Sequence, residues 1–346
     1  MPEVSIRRVQ GDADADAFAR QVWHGFGEHP DEDGLQAARS FLDTSRALLA
    51  WDGPHAVGSA LWFPTALSAP GGRDLVASGL TDVTVLPTHR RRGLLRRLMD
   101  EHLQGARDAG AAVSVLLASE APIYGRFGYG PATTTVDYVL DRAHAVLVPD
   151  APPPDGVRLV PGDEAAAALP ALHEATRRRG AGDIRRDPAW WRFDMSELIP
   201  RRMGRPRRFY AVMHDRRGRA VAAAWYRIQP SDDPASLTVG DVLARDDAAE
   251  RQMWRYLLGV DLVGRIRLQG ALDHPLRHML ADPRRLVAEG AADGLWVRVL
   301  DVPAALAGRG YAAEGAAVVQ VEDPVLDGVG GRFALEAGPE GAACTR

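Results

Sequence analysis

Apolar positions along the chain change period several times, and each change marks an element. RALLAWDG followed by AVGSALWF (46–63) alternates as two strands joined at a Gly-Pro turn. RRFYAVMHDRRGRAVAAAWYRI (207–228) repeats that hairpin around its own glycine turn. A strand over Thr81–Leu86 stops at Pro87, which has no N–H for a ladder. An amphipathic helix follows, with Leu94, Leu95, Leu98, Leu103 and Ala106 on one stripe and Gly110 closing it.

These signals occur twice and in the same order, so the pattern predicts a duplicated α/β domain. Arg7-Arg8-Val9-Gln10-Gly11-Asp12 is matched by Arg158-Leu159-Val160-Pro161-Gly162-Asp163. Each reads as strand, turn and alanine-rich helix with an aspartate N-cap. Asp82-Val83-Thr84-Val85 is matched by Asp241-Val242-Leu243-Ala244, and Leu94, Leu95, Leu98 and Met99 by Met253, Trp254, Leu257 and Leu258. The proline-rich stretch PDAPPPDG (149–156) separates the copies. The expected domains are therefore 1–148, 149–283 and a strand–helix–strand–strand remainder over 284–346.

Composition narrows the function more than it names it. All 42 basic residues are arginine, beside abundant alanine, glycine and proline, so most arginines reflect coding bias. A net charge of −4 argues against a general nucleic-acid binder. With no long apolar run or signal-peptide core, the expectation is a cytoplasmic protein without membrane partners. A lone Cys344 and histidines without ligand spacing predict no metal site.

One turn stands out from that arginine background. His89-Arg90-Arg91-Arg92-Gly93 lies between a strand and a helix start, where free N–H groups, a positive dipole end and guanidinium groups together suit a pyrophosphate. The second copy is the internal control: Asp246 and Asp247 enter its helix, with Gln252 set opposite Gly93. Carboxylates at a helix start are good caps and poor anion hosts.

The R-x-x-G turn over Arg90–Leu94 resembles the acetyl-CoA motif of the GNAT superfamily, with Leu95 in place of the usual small residue. VTVLPTHRRRGLLRRLM, ASEAPIYGRFGYGPAT, DPRRL and DGLWVRVLDVPAAL resemble the Eis-type (enhanced intracellular survival) N-acetyltransferases across most of the chain. The resemblance implies mixed α/β (α+β) sheets: two tandem GNAT-like domains, only the first binding acetyl-CoA, then a sterol-carrier-protein-like α+β domain. It also implies a homo-hexamer.

In that pattern Val83, Thr84 and Val85 line the pantetheine chain, Arg90, Arg91, Arg92, Gly93, Leu94 and Leu95 hold the pyrophosphate, and Ser119 touches the cofactor. Tyr124 matches the general acid, a suitable proton source for a thiolate. The family's base is a chain-terminal carboxylate on an aromatic residue. GPEGAACTR offers none, so the chain is expected to stop short of it, the alternative being that this member has lost that base, with Asp82 and Glu120 as nearby substitutes.

The loop Gly27-Glu28-His29-Pro30-Asp31-Glu32-Asp33, with Trp23 and Phe26 beside it, is placed at the acceptor wall. Its carboxylates suit a polyamine or aminoglycoside, although a solvated loop reads equally well and both aromatics fit the core. Arginine clusters at 177–179 and 201–208 read as solvated surface or ion pairs. The expected activity is acetyl transfer to a small multi-amine acceptor in a ternary complex. The alternatives are a protein or peptide lysine acetyltransferase, or a non-catalytic apolar-ligand-binding protein.

Overall fold

The computed structural model describes residues 4–30, 32, 34–36, 46–148, 156–196 and 205–346. Most of the linker at 149–156, Asp31 and Asp33 of the acceptor loop, and Arg201–Gly204 lie outside the described residues.

In chain order the first strands are β1 (Ser5–Arg8), β2 (Ala47–Asp52), β3 (His55–Ala69), β4 (Arg73–Val85), β5 (Val113–Leu117) and β6 (Gly130–Pro131). The next are β7 (Thr134–Asp141), β8 (Val157–Val160), β9 (Phe209–His214), β10 (Ala220–Gln229), β11 (Ser236–Ala244), β12 (Arg265–Gly270) and β13 (Val287–Asp293). The last are β14 (Leu295–Val299), β15 (Gly315–Val321), β16 (Gly331–Gly338) and β17 (Gly341–Thr345). The principal helices are α1 (Gly11–Gly25), α2 (Leu94–Asp108), α3 (Gly162–Thr176), α4 (Asp247–Leu258) and α5 (Val302–Ala307).

Two seven-stranded sheets run β1-β2-β3-β4-β5-β14-β6 and, read from the other edge, β8-β9-β10-β11-β12-β7-β13. The orders are equivalent, which realises the duplication. Both predicted hairpins form, β2–β3 and β9–β10. The two aspartates expected as N-caps sit inside the first turns instead: α1 is preceded by Gln10 and α3 by Pro161. At α1 the Gln10 N–H donates to the Asp14 carboxylate at 2.9 Å, so the cap comes from within the helix.

Each sheet takes its sixth strand from beyond the other copy. β7 follows the first copy in sequence and lies in the second sheet; β14 follows the second copy and lies in the first. The compact units are accordingly discontinuous: residues 1–132, 178–185 and 295–346 form one, and 133–177 with 186–294 the other. The contiguous limits 1–148, 149–283 and 284–346 differ from these units because local strand patterns carry no record of which sheet a strand joins. LWVRVLD belongs to the first sheet, and the three-stranded sheet β15-β16-β17 falls within the first unit.

In the first unit α2 lays Leu98, Met99 and Leu103, all fully buried, against Trp62, Leu80, Leu116 and Trp296. Each such side chain contributes about 1.5–3 kcal/mol on leaving water. That packing fixes where the start of α2 lies beside the end of β4. In the second unit Ala249, Met253, Trp254 and Leu258 of α4 are buried in the same spacing as Leu94, Leu98, Met99 and Leu103 of α2. The burial register thus pairs Gly93 with Ala248, rather than with Gln252, and sets Arg91 and Arg92 against Asp246 and Asp247.

Three arginines of these clusters are ion-paired: Arg177 and Arg208 with acids close in sequence, and Arg178 with Asp74. Arg177 is buried and donates from Nε to Glu174 at 2.9 Å. Arg208 pairs with Asp194 at 2.7 Å while lying 4.0 Å over Trp225. Among the described residues no helix is long and apolar enough to cross a membrane.

Candidate active site

The site is built where two parallel strands part. β4 and β5 pair only at Ala77–Val113, Ser78–Ser114 and Gly79–Val115, whereas β4 stays paired to β3 as far as Val85–Gly58. Among the described residues the β5-facing edge of β4 has no ladder partner beyond Gly79. Backbone groups that lose a ladder need some other partner: the Asp82 carbonyl takes the Ser59 hydroxyl, and the remaining edge groups suit an extended ligand chain.

A bulge aims that edge. Between the pairs Leu61–Thr81 and Ser59–Thr84 β4 carries one more residue than β3, and Asp82 there adopts a left-handed conformation with φ 54°. The buried Ser59 hydroxyl donates to the Asp82 carbonyl at 2.8 Å and lies 2.7 Å from the Thr84 hydroxyl. Gln21 of α1 donates to the same Thr84 oxygen at 3.1 Å. Gly25 closes the packing, because a Cβ there would lie 2.4 Å from the Thr84 Cβ. Thr84, expected to line the cofactor, therefore turns its side chain into α1, and Val83 and Val85 are left half-buried on the clustered face.

The second copy has a bulge at the equivalent place, between the pairs Tyr226–Val239 and Ala224–Val242. That register matches Asp82 with Gly240, one residue from the Asp241 suggested by the sequence.

After β4 a short turn of helix at Pro87–His89 leads into the arginines. His89 is fixed at both ring nitrogens, by Thr88 at 2.8 Å and by Asp52 at 3.0 Å. Arg90, Arg91 and Arg92 are exposed, Arg91 has φ 63°, and Gly93 at φ 78° is the N-cap of α2. Among the described residues no side chain caps this helix, and its first turn has no acidic residue. At α4, by contrast, the Asp246 carboxylate accepts from the Ala249 N–H at 2.8 Å, and Asp247 and Glu250 occupy the first turn. An anion fits the first helix start and is repelled from the second. Leu94 is buried among Val4, Ala50 and Val57, so only its backbone faces that turn, and Leu95 is half-buried.

Ser119 and Glu120 are exposed just past β5, at the start of the short helix Ala121–Tyr124. Tyr124 is 6 % exposed and packs edge-on to Tyr129, with ring centres 6.0 Å apart. Burial raises the Tyr124 pKa, a hydrogen bond with the Ser119 side chain lowers it, and the Glu120 charge raises it. Asp82 is half-buried, and burial pushes its carboxyl up to about 6 against a hydrogen bond from Thr81.

At the loop expected to form the acceptor wall, Phe26 is 55 % exposed, so it does not belong to the core. Trp23 is half-buried and its carbonyl accepts from the Glu28 N–H at 2.9 Å, holding the exposed Glu28 beside both aromatics. Sequence reasoning missed Gln21, Ser59 and Gly25. A glutamine among the buried positions Ala15, Phe18 and Ala19 of α1 was the available signal.

Residues 5–132 match the acetyltransferase (GNAT) domain family, and 182–299 match a second acetyltransferase (GNAT) domain family. The N-acetyltransferase Eis of Mycobacterium tuberculosis is 37 % identical over 327 residues, covering 90 % of this chain and 77 % of that protein. The chain is an Eis-type GNAT N-acetyltransferase. An uncharacterized N-acetyltransferase of Streptomyces avermitilis is 36 % identical over 99 % of this chain and 84 % of its own length. The crystal structure of Eis1 from Mycobacterium abscessus superposes with a TM-score of 0.86 at 30 % identity, covering 99 % of this chain and 85 % of that one.

Membership of the GNAT family carries acetyl-CoA binding with it. The parted strands and uncapped helix start of the first unit fit that ligand chemically: amide edges for an extended chain and an electropositive turn for a pyrophosphate. Among the described residues no group of three or more His, Cys, Asp or Glu side chains is arranged to hold a metal ion.

Proposed function

We propose that this Eis-type enzyme moves the acetyl group of acetyl-CoA to an amine of a small cationic multi-amine acceptor, of aminoglycoside or polyamine type, by direct attack in a ternary complex. The observation that carries the reading is the end of β4–β5 pairing at Gly79–Val115, immediately before the Asp82 bulge and the Arg90–Gly93 turn.

In this reading the amides of Val83 and Val85 hold the pantetheine chain and polarise the thioester carbonyl. Arg90, Arg91 and Arg92, with the N–H groups of Gly93, Leu94 and Leu95, hold the pyrophosphate, and Ser119 is a further contact. The amine nitrogen attacks the carbonyl carbon, a C–N bond forms and the C–S bond breaks. Tyr124 gives its hydroxyl proton to the departing thiolate, and Asp82 takes the proton released by the amine. A carboxyl with a pKa of about 6 is ionised at neutral pH yet basic enough to accept, which favours Asp82 over the exposed Glu120. The exposed aromatic Phe26, with Trp23 and the Glu28 carboxylate, suits a cationic acceptor. The hexamer and the sterol-carrier-like terminal domain belong to the same reading and rest on the resemblance, while a cytoplasmic location rests on the sequence pattern alone.

Coenzyme A thiol release, measured across aminoglycosides, polyamines and lysine peptides, tests it. Turnover concentrated in the multi-amine compounds supports the acceptor class. Robust peptide acetylation with no response to any aminoglycoside or polyamine would replace it with the protein-lysine reading.

A further inference from the structure

Arg298 of β14 lies opposite Ser114 of β5, and its guanidinium Nη1 meets the Asp323 carboxylate at 2.5 Å with both side chains under 8 % exposed (7 % and 4 %). Asp323, between β15 and β16, is itself held by the N–H groups of Val325 at 3.0 Å and Leu326 at 2.9 Å. The other face of the guanidinium packs on Gly128: a Cβ at that position would lie 2.9 Å from Nε, Cζ and Nη1. Gly128 has φ 80°, so glycine is required there both by its backbone conformation and by the arginine beneath it.

Gly128 sits in the turn that carries Tyr124. Its N–H donates to Gly125 at 3.1 Å, and the Tyr129 N–H donates back to the Tyr124 carbonyl at 3.3 Å. The Tyr129 hydroxyl lies 2.7 Å from Ser114 Oγ and 3.3 Å from His102 Nε2, while its ring meets Tyr124 edge-on. Arg298 also acts electrostatically on Tyr129. Leu326, whose N–H holds Asp323 from the same loop, packs into the cluster that contains Tyr124, Phe127 and Tyr129.

We propose that Arg298, locked by Asp323, is a positioning residue for Tyr124: the ion pair is the floor on which the 124–129 turn folds, and Tyr129 passes its position to the Tyr124 ring. A buried guanidinium is costly, and an apolar side chain of similar volume would fill the space at less cost. What such a side chain would not supply is a planar surface fixed by a carboxylate under a glycine backbone. The proposal ties the loop between β15 and β16 to the chemistry of the first sheet, and it rests on Tyr124 being the general acid.

The test uses the full chain with Arg298→Met, Arg298→Lys and Asp323→Asn, alone and combined with Tyr124→Phe. Titration calorimetry gives the acetyl-CoA Kd, and thiol release gives kcat. Arg298→Met should lower kcat about tenfold or more while the acetyl-CoA Kd stays within about twofold, and Arg298→Lys should recover part of the loss. Added to Tyr124→Phe, the Arg298 change should cost nothing further, since residues acting as a unit are non-additive. A folded Arg298→Met enzyme with wild-type kcat, or losses that multiply in the double variant, would overturn the proposal. If Arg298→Met does not fold, Asp323→Asn and Arg298→Lys are read by the same criteria. Tyr124→Phe at the wild-type rate would strike the general-acid reading itself, whereas a collapse in Tyr124→Phe with unaffected Arg298 variants strikes the positioning role alone.

Discussion

The Ser59 hydroxyl on β3 donates to the Asp82 carbonyl on β4 at 2.8 Å, across the point where β4 gains an extra residue. That bond, with the 2.7 Å contact to Thr84, holds the bulge that turns the free edge of β4 toward the parted strands. Ser59→Ala leaves the Asp82 carbonyl and the Thr84 hydroxyl short of a partner in a buried setting. It should cost about 1–3 kcal/mol of stability and raise the KM for acetyl-CoA. Denaturant unfolding and steady-state kinetics on the same preparation check both.

Asp82 gives a pH signature. Its folded pKa of about 6 lies above the ordinary carboxylate value of 3.8, so the folded state holds this proton more tightly than the unfolded chain. Its contribution to stability is therefore greatest below pH 3.8 and is lost as pH rises toward 6. Asp82→Asn should be more stable than wild type at pH 8, by roughly 1–3 kcal/mol, and no different near pH 3.5. Asparagine also tolerates the left-handed backbone that position 82 requires. As the base, Asp82 should give kcat/KM a rising limb near pH 6 that disappears in Asp82→Asn. Activity at pH 8 should fall by roughly 10²–10⁴-fold. A limb that survives the substitution would assign the base elsewhere.

Gly25 makes a steric prediction. A methyl group there would meet Thr84 at 2.4 Å, so Gly25→Ala must push α1 off the bulge. Overpacking of this kind costs about 1–3 kcal/mol. The thermal midpoint and the acetyl-CoA KM should worsen together, whereas Gly315→Ala, with open space around its Cβ position and no left-handed backbone, should leave the KM unchanged.

Much of this was legible in the sequence because it is local. The hairpins, the strand stopped before Pro87, the stripe of α2 and the contrast between Arg91-Arg92 and Asp246-Asp247 follow from spacing and residue type. Other features are not local. An amphipathic stripe repeats at every turn, so matching Leu94 to Met253 by apolar spacing does not detect a slip of one turn; only burial shows that Leu98 is the partner of Met253. The left-handed Asp82 depends on Ser59 of the neighbouring strand β3, whose hydroxyl meets both the Asp82 carbonyl and the Thr84 hydroxyl. The exchange of β7 and β14 depends on pairings more than a hundred residues apart, which strand periodicity does not encode.

One cleft per chain, in the first unit, is proposed to bind acetyl-CoA through the Arg90–Gly93 turn. Titration calorimetry with acetyl-CoA tests it most directly. One molecule should bind per chain, with binding weakened by salt and lost in Arg91→Glu. Two molecules per chain, or undiminished binding by a folded Arg91→Glu protein, would contradict it.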